Sequence, residues 1–204
     1  METSEKGWLR VDLESPFWIP CPVAFPDGMT REAWATEAAG AWWQQSGLTY
    51  TPTAVGQLAQ MLALAQEHGY ARVPCHQIWI YLRDPATPPL PVHIGIWSSE
   101  GEREQRFRLL AGADDRASVR KPEVSEVETA NLGGGLRVLR YRKSRKGALV
   151  GLLAYAFRSQ ECETDLQILA GSNSLSELTA AYGDIDDFVR GLIVYPNTSK
   201  PEYA

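Results

Sequence analysis

The chain has 204 residues, 44% of them hydrophobic and 22% charged, with a formal net charge of −5 at neutral pH. That length is ample for a hydrophobic core, and the composition is that of a globular protein, not of a fibrous or low-complexity one. The mildly acidic balance argues against a general nucleic-acid binder and leaves local basic patches to be judged separately.

The N-terminal run METSEKGWLRVDLESPFWIPCP has no uninterrupted apolar core of signal-peptide length. No stretch reaches the roughly 20 apolar residues of a membrane-spanning helix, so no membrane partner is expected. Trp8 to Leu13 alternate as a first strand. Prolines at 16, 20, 22 and 26 then make an extended loop or edge segment, because proline lacks a backbone donor. Phe17 and Trp18 are its expected anchors.

Thr30 is placed to cap a helix, TREAWATEAAGAWWQQSG, that ends near Gly47. Trp34, Ala38, Ala41 and Trp42 share its expected inner face. A second helix begins at Thr51, with Pro52 in the first turn, and is expected to stop at Gly69. Val55, Leu58, Met61, Leu62 and Ala65 form its apolar stripe.

From Arg72 the period shifts to that of strands. In RVPCHQIWIYLRD, Ile78, Ile80 and Leu82 lie on one side, Trp79 and Tyr81 on the other. VHIGIWSS is a further strand, EGEREQRFRLLAG a short helix, and EVSEVETANLG, GLRVLRYRK, GALVGLLAYAFRS and ETDLQILAGSNS are strands in sequence. SNSLSELTAAYGDIDDFVRGLIVYP carries apolar residues at helical spacing through Leu192. The tail from Asn197 is expected to fray.

Helices before and after a meander predict an α+β fold, an antiparallel sheet flanked by helices. The whole of 1–204 is expected to form one domain. In it a proline-rich segment and two helices, within 1–70, pack on the sheet of 72–195.

The pattern GGLRVLRYRK, ALVGLLAYAF, DLQILAGS and then LSELTAAYGDIDDFVRGLIV, within roughly Pro122 to Val194, resembles the C-terminal part of the PsbP-like family, which includes LpqN-type lipoproteins. The resemblance implies an α-β-α sandwich. It implies binding of proteins or small ligands and no common enzymatic activity, so it transfers no catalytic residues. The chain departs from exported members in showing neither signal nor lipobox.

NLGGGLRVLRY has neither the phosphate-loop spacing GxxxxGK[ST] nor GxGxxG opening a helix. It reads as a turn, with Asn131 and the glycines at positive φ. Six basic residues follow within ten positions: Arg137, Arg140, Arg142, Lys143, Arg145 and Lys146. RKSRKG between two apolar strands is a hairpin tip. It is either a solvated hairpin that blunts a sheet edge or a docking surface for an acidic protein partner. Nucleic acid ranks last, for want of aromatic platforms beyond Tyr141. Asp184, Asp186 and Asp187 lack the glycine and terminal glutamate of a calcium loop and read as helical surface acid.

Trp42 and Trp43 are adjacent, which suggests that one of them is partly exposed. With Trp18 they could line a groove for a partner peptide or lie within a core between helices and sheet. Cys21, Cys75 and Cys162 are scattered without CxxC spacing, which argues against a disulfide framework and for a reducing, cytoplasmic compartment. Cys75 and His76 are strand neighbours on opposite faces. Cys75 with His93 offers half of a metal site, short of the usual four ligands.

The expectation is a non-enzymatic binding or adaptor protein without catalytic, cofactor or metal residues. Partner contacts are expected at Arg140, Arg142, Lys143, Arg145, Lys146, Trp42 and Trp43. One alternative is a small-ligand binder or enzyme with a pocket near Cys75, His76 and His93. Another is a subunit of a larger secretion or phage-type assembly.

Overall fold

The computed structural model describes residues 7–13, 15–25, 28–49, 51–72 and 77–196. In chain order the elements are β1 (Gly7–Val11), β2 (Trp18–Cys21), α1 (Arg31–Ser46), α2 (Pro52–Arg72), β3 (Gln77–Tyr81), β4 (Leu90–Ser98) and α3 (Arg103–Ala111). There follow β5 (Glu123–Thr129), β6 (Gly133–Lys143), β7 (Leu149–Ser159), β8 (Thr164–Ser172), α4 (Leu175–Arg190) and β9 (Leu192–Pro196). Seven strands form one sheet in the order β2-β3-β4-β8-β7-β6-β5, and β1 pairs with β9 in a second. The fold is α+β with antiparallel pairing. The chain divides into two compact units, 14–93 and 1–13 with 94–204.

In unit 14–93, Thr30 caps α1 by accepting from the Ala33 N–H at 3.1 Å, and Gly47 ends it at φ 69°. The buried face is Ala35, Ala39, Trp42 and Trp43, with Trp34 and Ala38 half-covered and Ala41 exposed. This is a rotation of the expected stripe. Both indoles are inside, contrary to the expectation that one would be partly exposed. The Trp42 N–H donates to the Leu82 carbonyl at 3.1 Å, and the Trp43 N–H donates to the Thr49 carbonyl at 2.9 Å. The chain just past the helix thus covers the second ring. α2 does not stop at Gly69 but runs to Arg72. The glycine serves packing instead, since a Cβ there would meet the Ile78 side chain. Ile78, Ile80 and Leu82 are buried against Val55, Leu58 and Leu62. β2 is the expected edge segment, paired with β3 through Trp18↔Tyr81 to Cys21↔Ile78.

The other unit is a three-layer arrangement. On one face of β6–β8, Phe107, Leu110 and Ala111 of α3 pack on Val138, Ala154 and Ala156. On the opposite face α4 buries Leu178, Ala181, Ile185, Phe188 and Val189. A Cβ on Gly151 would collide with Leu175 and Leu178, so this glycine sets how closely the helix lies. Gly183 lies exposed inside α4. The helix ends at Arg190, and Leu192, expected to continue the helical face, opens β9 because β1 offers it a strand partner, Val11↔Leu192.

Of the glycine run only Gly133 has positive φ, at 66°, and Asn131 has not. Gly134 and Gly135 are strand residues opposite Glu128 and Val127. A Cβ on Gly135 would run into the Phe157 ring. The glycine run therefore follows the turn at 130–132 and opens a strand that needs room, with Gly133 alone taking positive φ.

Candidate docking surfaces

β6 is an internal strand, with β5 outside it, so its arginines divide between the two faces by alternation. Arg137 is opposite Tyr155 and points to the α4 side. There its guanidinium donates to Asp186 at 2.8 Å and to the Ser125 hydroxyl at 3.1 Å. Asp186 also accepts the Tyr155 hydroxyl at 2.5 Å. It is thus a half-buried structural acid and not the solvated one expected, while Asp187 is exposed and pairs with Arg190.

Arg140 and Arg142 point to the α3 side. Arg140 is 7% exposed, and its guanidinium donates to the Ala111 carbonyl, with Nε 3.5 Å from Asp115. Burial, reinforced by the neighbouring Arg142 charge, pushes its pKa down. A group so enclosed is not presented to a partner, which corrects the expectation for Arg140. Arg142 is half-exposed and donates to Asp115, which also accepts from Ala117 N–H at 3.0 Å and from the Ser118 hydroxyl at 3.2 Å. The Arg142 hydrogen bond is the main reason the Asp115 carboxyl is pulled down to about 2. Nothing in the sequence pattern marks Asp115; its partner lies 27 residues away.

Lys143, Arg145 and Lys146 differ. β6 ends at Lys143, the Ser144 N–H donates to the Ala148 carbonyl at 2.7 Å, and Gly147 takes φ 82° to close the turn. All three cations are exposed, and none forms an ion pair among the described residues. The tip is as expected; the edge beside it is not β6 but β5, which carries Glu123, Glu126 and Glu128.

A second charged centre was not foreseen. Asp165 is fully buried on β8, opposite Arg158 on β7. Arg158 donates to both carboxylate oxygens, at 2.6 and 3.1 Å, and Arg106 of α3 donates at 3.1 Å. Arg158 also holds the Glu100 and Gly101 carbonyls, at 3.0 and 3.1 Å. The centre fixes where α3 starts.

The aromatic surface expected at Trp42 and Trp43 is core, with the rings 3% and 6% exposed and packed edge to face at 5.8 Å. Cys75 and His76 lie outside the described residues. His93 is half-buried on β4, and burial lowers its pKa. Among the described residues, no helix is long and apolar enough to cross a membrane.

No known protein family matches the sequence, and no curated protein matches it. Among solved structures the chain is similar to LpqN of Mycobacterium tuberculosis, described as involved in cell envelope biogenesis. The TM-score is 0.53 at 10% identity, over 95% of this chain and 87% of that one. The likeness to an LpqN structure expected for roughly Pro122 to Val194 therefore extends over nearly the whole chain, as a distant relation of fold.

Proposed function

We propose that the chain is a non-enzymatic binding protein of the PsbP-like, LpqN type that docks an acidic protein surface with the tip of its β6–β7 hairpin. The observation that carries this reading is the division of the basic cluster. Arg137, Arg140 and Arg142 are committed to partners within the chain, while Lys143, Arg145 and Lys146 stand exposed and unpaired among the described residues. Three cations on a tight turn steer association and are screened by salt. The scattered cysteines without CxxC spacing, and the buried free thiol of Cys162, favour a reducing compartment such as the cytoplasm.

The test is capture of a partner from the source cell's lysate by wild type and by the triple variant K143E/R145E/K146E, at low and high salt. The reading expects a stoichiometric partner at low salt only, lost in a variant whose urea midpoint is unchanged. Capture by the variant equal to that by wild type removes the hairpin from the account.

A further inference from the structure

A groove of about 520 Å³ lies between the first turns of α3 and the β5–β6 pair. Its floor is Phe107 and Leu136, and its walls carry Glu102, Glu104, Glu126 and Glu128. The groove is open on this face because Gly134, opposite Glu128, has no side chain to fill it.

The charges lining it are unevenly committed. Of its two arginines, Arg103 donates to the Gly134 carbonyl at 2.5 Å and lies over the Phe107 ring at 5.1 Å, and Arg108 pairs with Asp114. Glu102 is engaged in capping α3 through the Gln105 N–H at 2.9 Å. Glu126 and Glu128 have no ion pair among the described residues. The groove is therefore negative where it is unsatisfied, above an apolar floor.

Glu126 and Glu128 are two apart on β5, so they project from one face. β5 is the last strand of its sheet, and among the described residues its outer edge has no strand partner. An extended segment laid along that edge would gain main-chain hydrogen bonds, and its alternate side chains would face the two glutamates as cross-strand pairs. Lysine or arginine suits this position twice over: the charged head meets a carboxylate and the aliphatic stem covers Phe107 and Leu136.

We propose that the β5 edge and this groove bind a basic, extended segment of a partner protein, with lysine or arginine at alternate positions, as an added strand. This surface is separate from the hairpin tip and opposite to it in charge.

The probe is a fluorescent decapeptide of alternating lysine and threonine, followed by anisotropy. Saturable binding is expected at low salt. It is expected to weaken about tenfold in E126K/E128K, and to weaken again in concentrated salt. A peptide with proline replacing every threonine, which loses half of its strand donors and is driven out of the strand conformation, is expected to bind about tenfold more weakly. The variant E126Q/E128Q, which adds no charge, serves if the reversal disturbs folding, as judged by circular dichroism.

Equal binding of a glutamate–threonine peptide, unchanged binding by both glutamate variants, or equal binding of the proline peptide would overturn the proposal. Sedimentation of the protein alone decides the remaining occupant. A wild-type dimer that E126Q/E128Q dissolves would make the occupant a second copy of the chain and overturn the assignment to a partner protein.

Discussion

Arg137 on β6 and Asp186 on α4 meet at 2.8 Å, and the second oxygen of the same carboxylate accepts the Tyr155 hydroxyl at 2.5 Å. The Arg137 guanidinium also lies 5.0 Å from the Tyr182 ring. One acid thereby joins two strands to the helix above them. Burial first, and then the hydrogen bond to Asp186, push the Tyr155 pKa up, so the phenol remains a donor throughout the working pH range.

Removing that acid leaves a half-buried guanidinium and a buried phenol without their acceptor. D186A is expected to cost about 3 kcal/mol in urea unfolding. D186N keeps an acceptor for Tyr155 and should cost less. A double-mutant cycle with R137A should show a coupling of about 1 kcal/mol or more; additive effects would mean that the two residues act separately.

Asp115 predicts a pH dependence. Its carboxyl is held at about 2 against an ordinary value of 3.8, chiefly by the Arg142 hydrogen bond, with burial opposing. A depressed acid contributes stability that is fully present above its unfolded value and lost as pH falls through the folded one. The window is thus from about pH 4 down to about pH 2. Between pH 6 and pH 2, wild type should lose on the order of 2 kcal/mol more than D115N. Parallel losses would show that another acid governs the range.

Asp165 should be the least replaceable acid. It is 0% exposed and receives two arginines. D165N takes this buried carboxylate away from both arginines, at an expected cost of about 3–5 kcal/mol. R158K keeps the charge but loses the two-pronged bond and the hold on Glu100 and Gly101, for about 1–2 kcal/mol. Thermal unfolding of the two variants tests the ranking, which fails if R158K is the worse.

The glycine run gives a steric prediction. G135A drives a methyl group into the Phe157 ring and should cost about 1–3 kcal/mol. G133A meets no atom within 4 Å but must adopt φ 66°, for about 1 kcal/mol. If G133A proves the more damaging by chemical denaturation, backbone conformation outweighs packing here.

The elements themselves were legible wherever a local signal states them. Thr30 and Gly47 bound α1, alternation marks Ile78 and Ile80, and RKSRKG marks a hairpin. What was lost depends on residues distant in sequence. Gly69 reads as a helix stop because its packing against Ile78 is invisible locally. Leu192 keeps helical spacing because its partner strand lies at the other end of the chain. In the basic cluster, composition cannot separate exposed from enclosed arginines. Arg140 became legible only once Ala111 and Asp115 were placed beside β6.

The pairing of β1 with β9 bears on how the protein is made. During synthesis from the N-terminus, the segment Gly7–Val11 emerges before its partner Leu192–Pro196, which follows only after the intervening strands and helices. At about 5–20 residues per second, that leaves β1 without its ladder for roughly ten to forty seconds. Every other strand in 94–204 can find a neighbour sooner. Among the described strands the small sheet is thus the last able to close, and for that interval the β1 backbone is open to chaperones or to a neighbouring nascent chain on the same message.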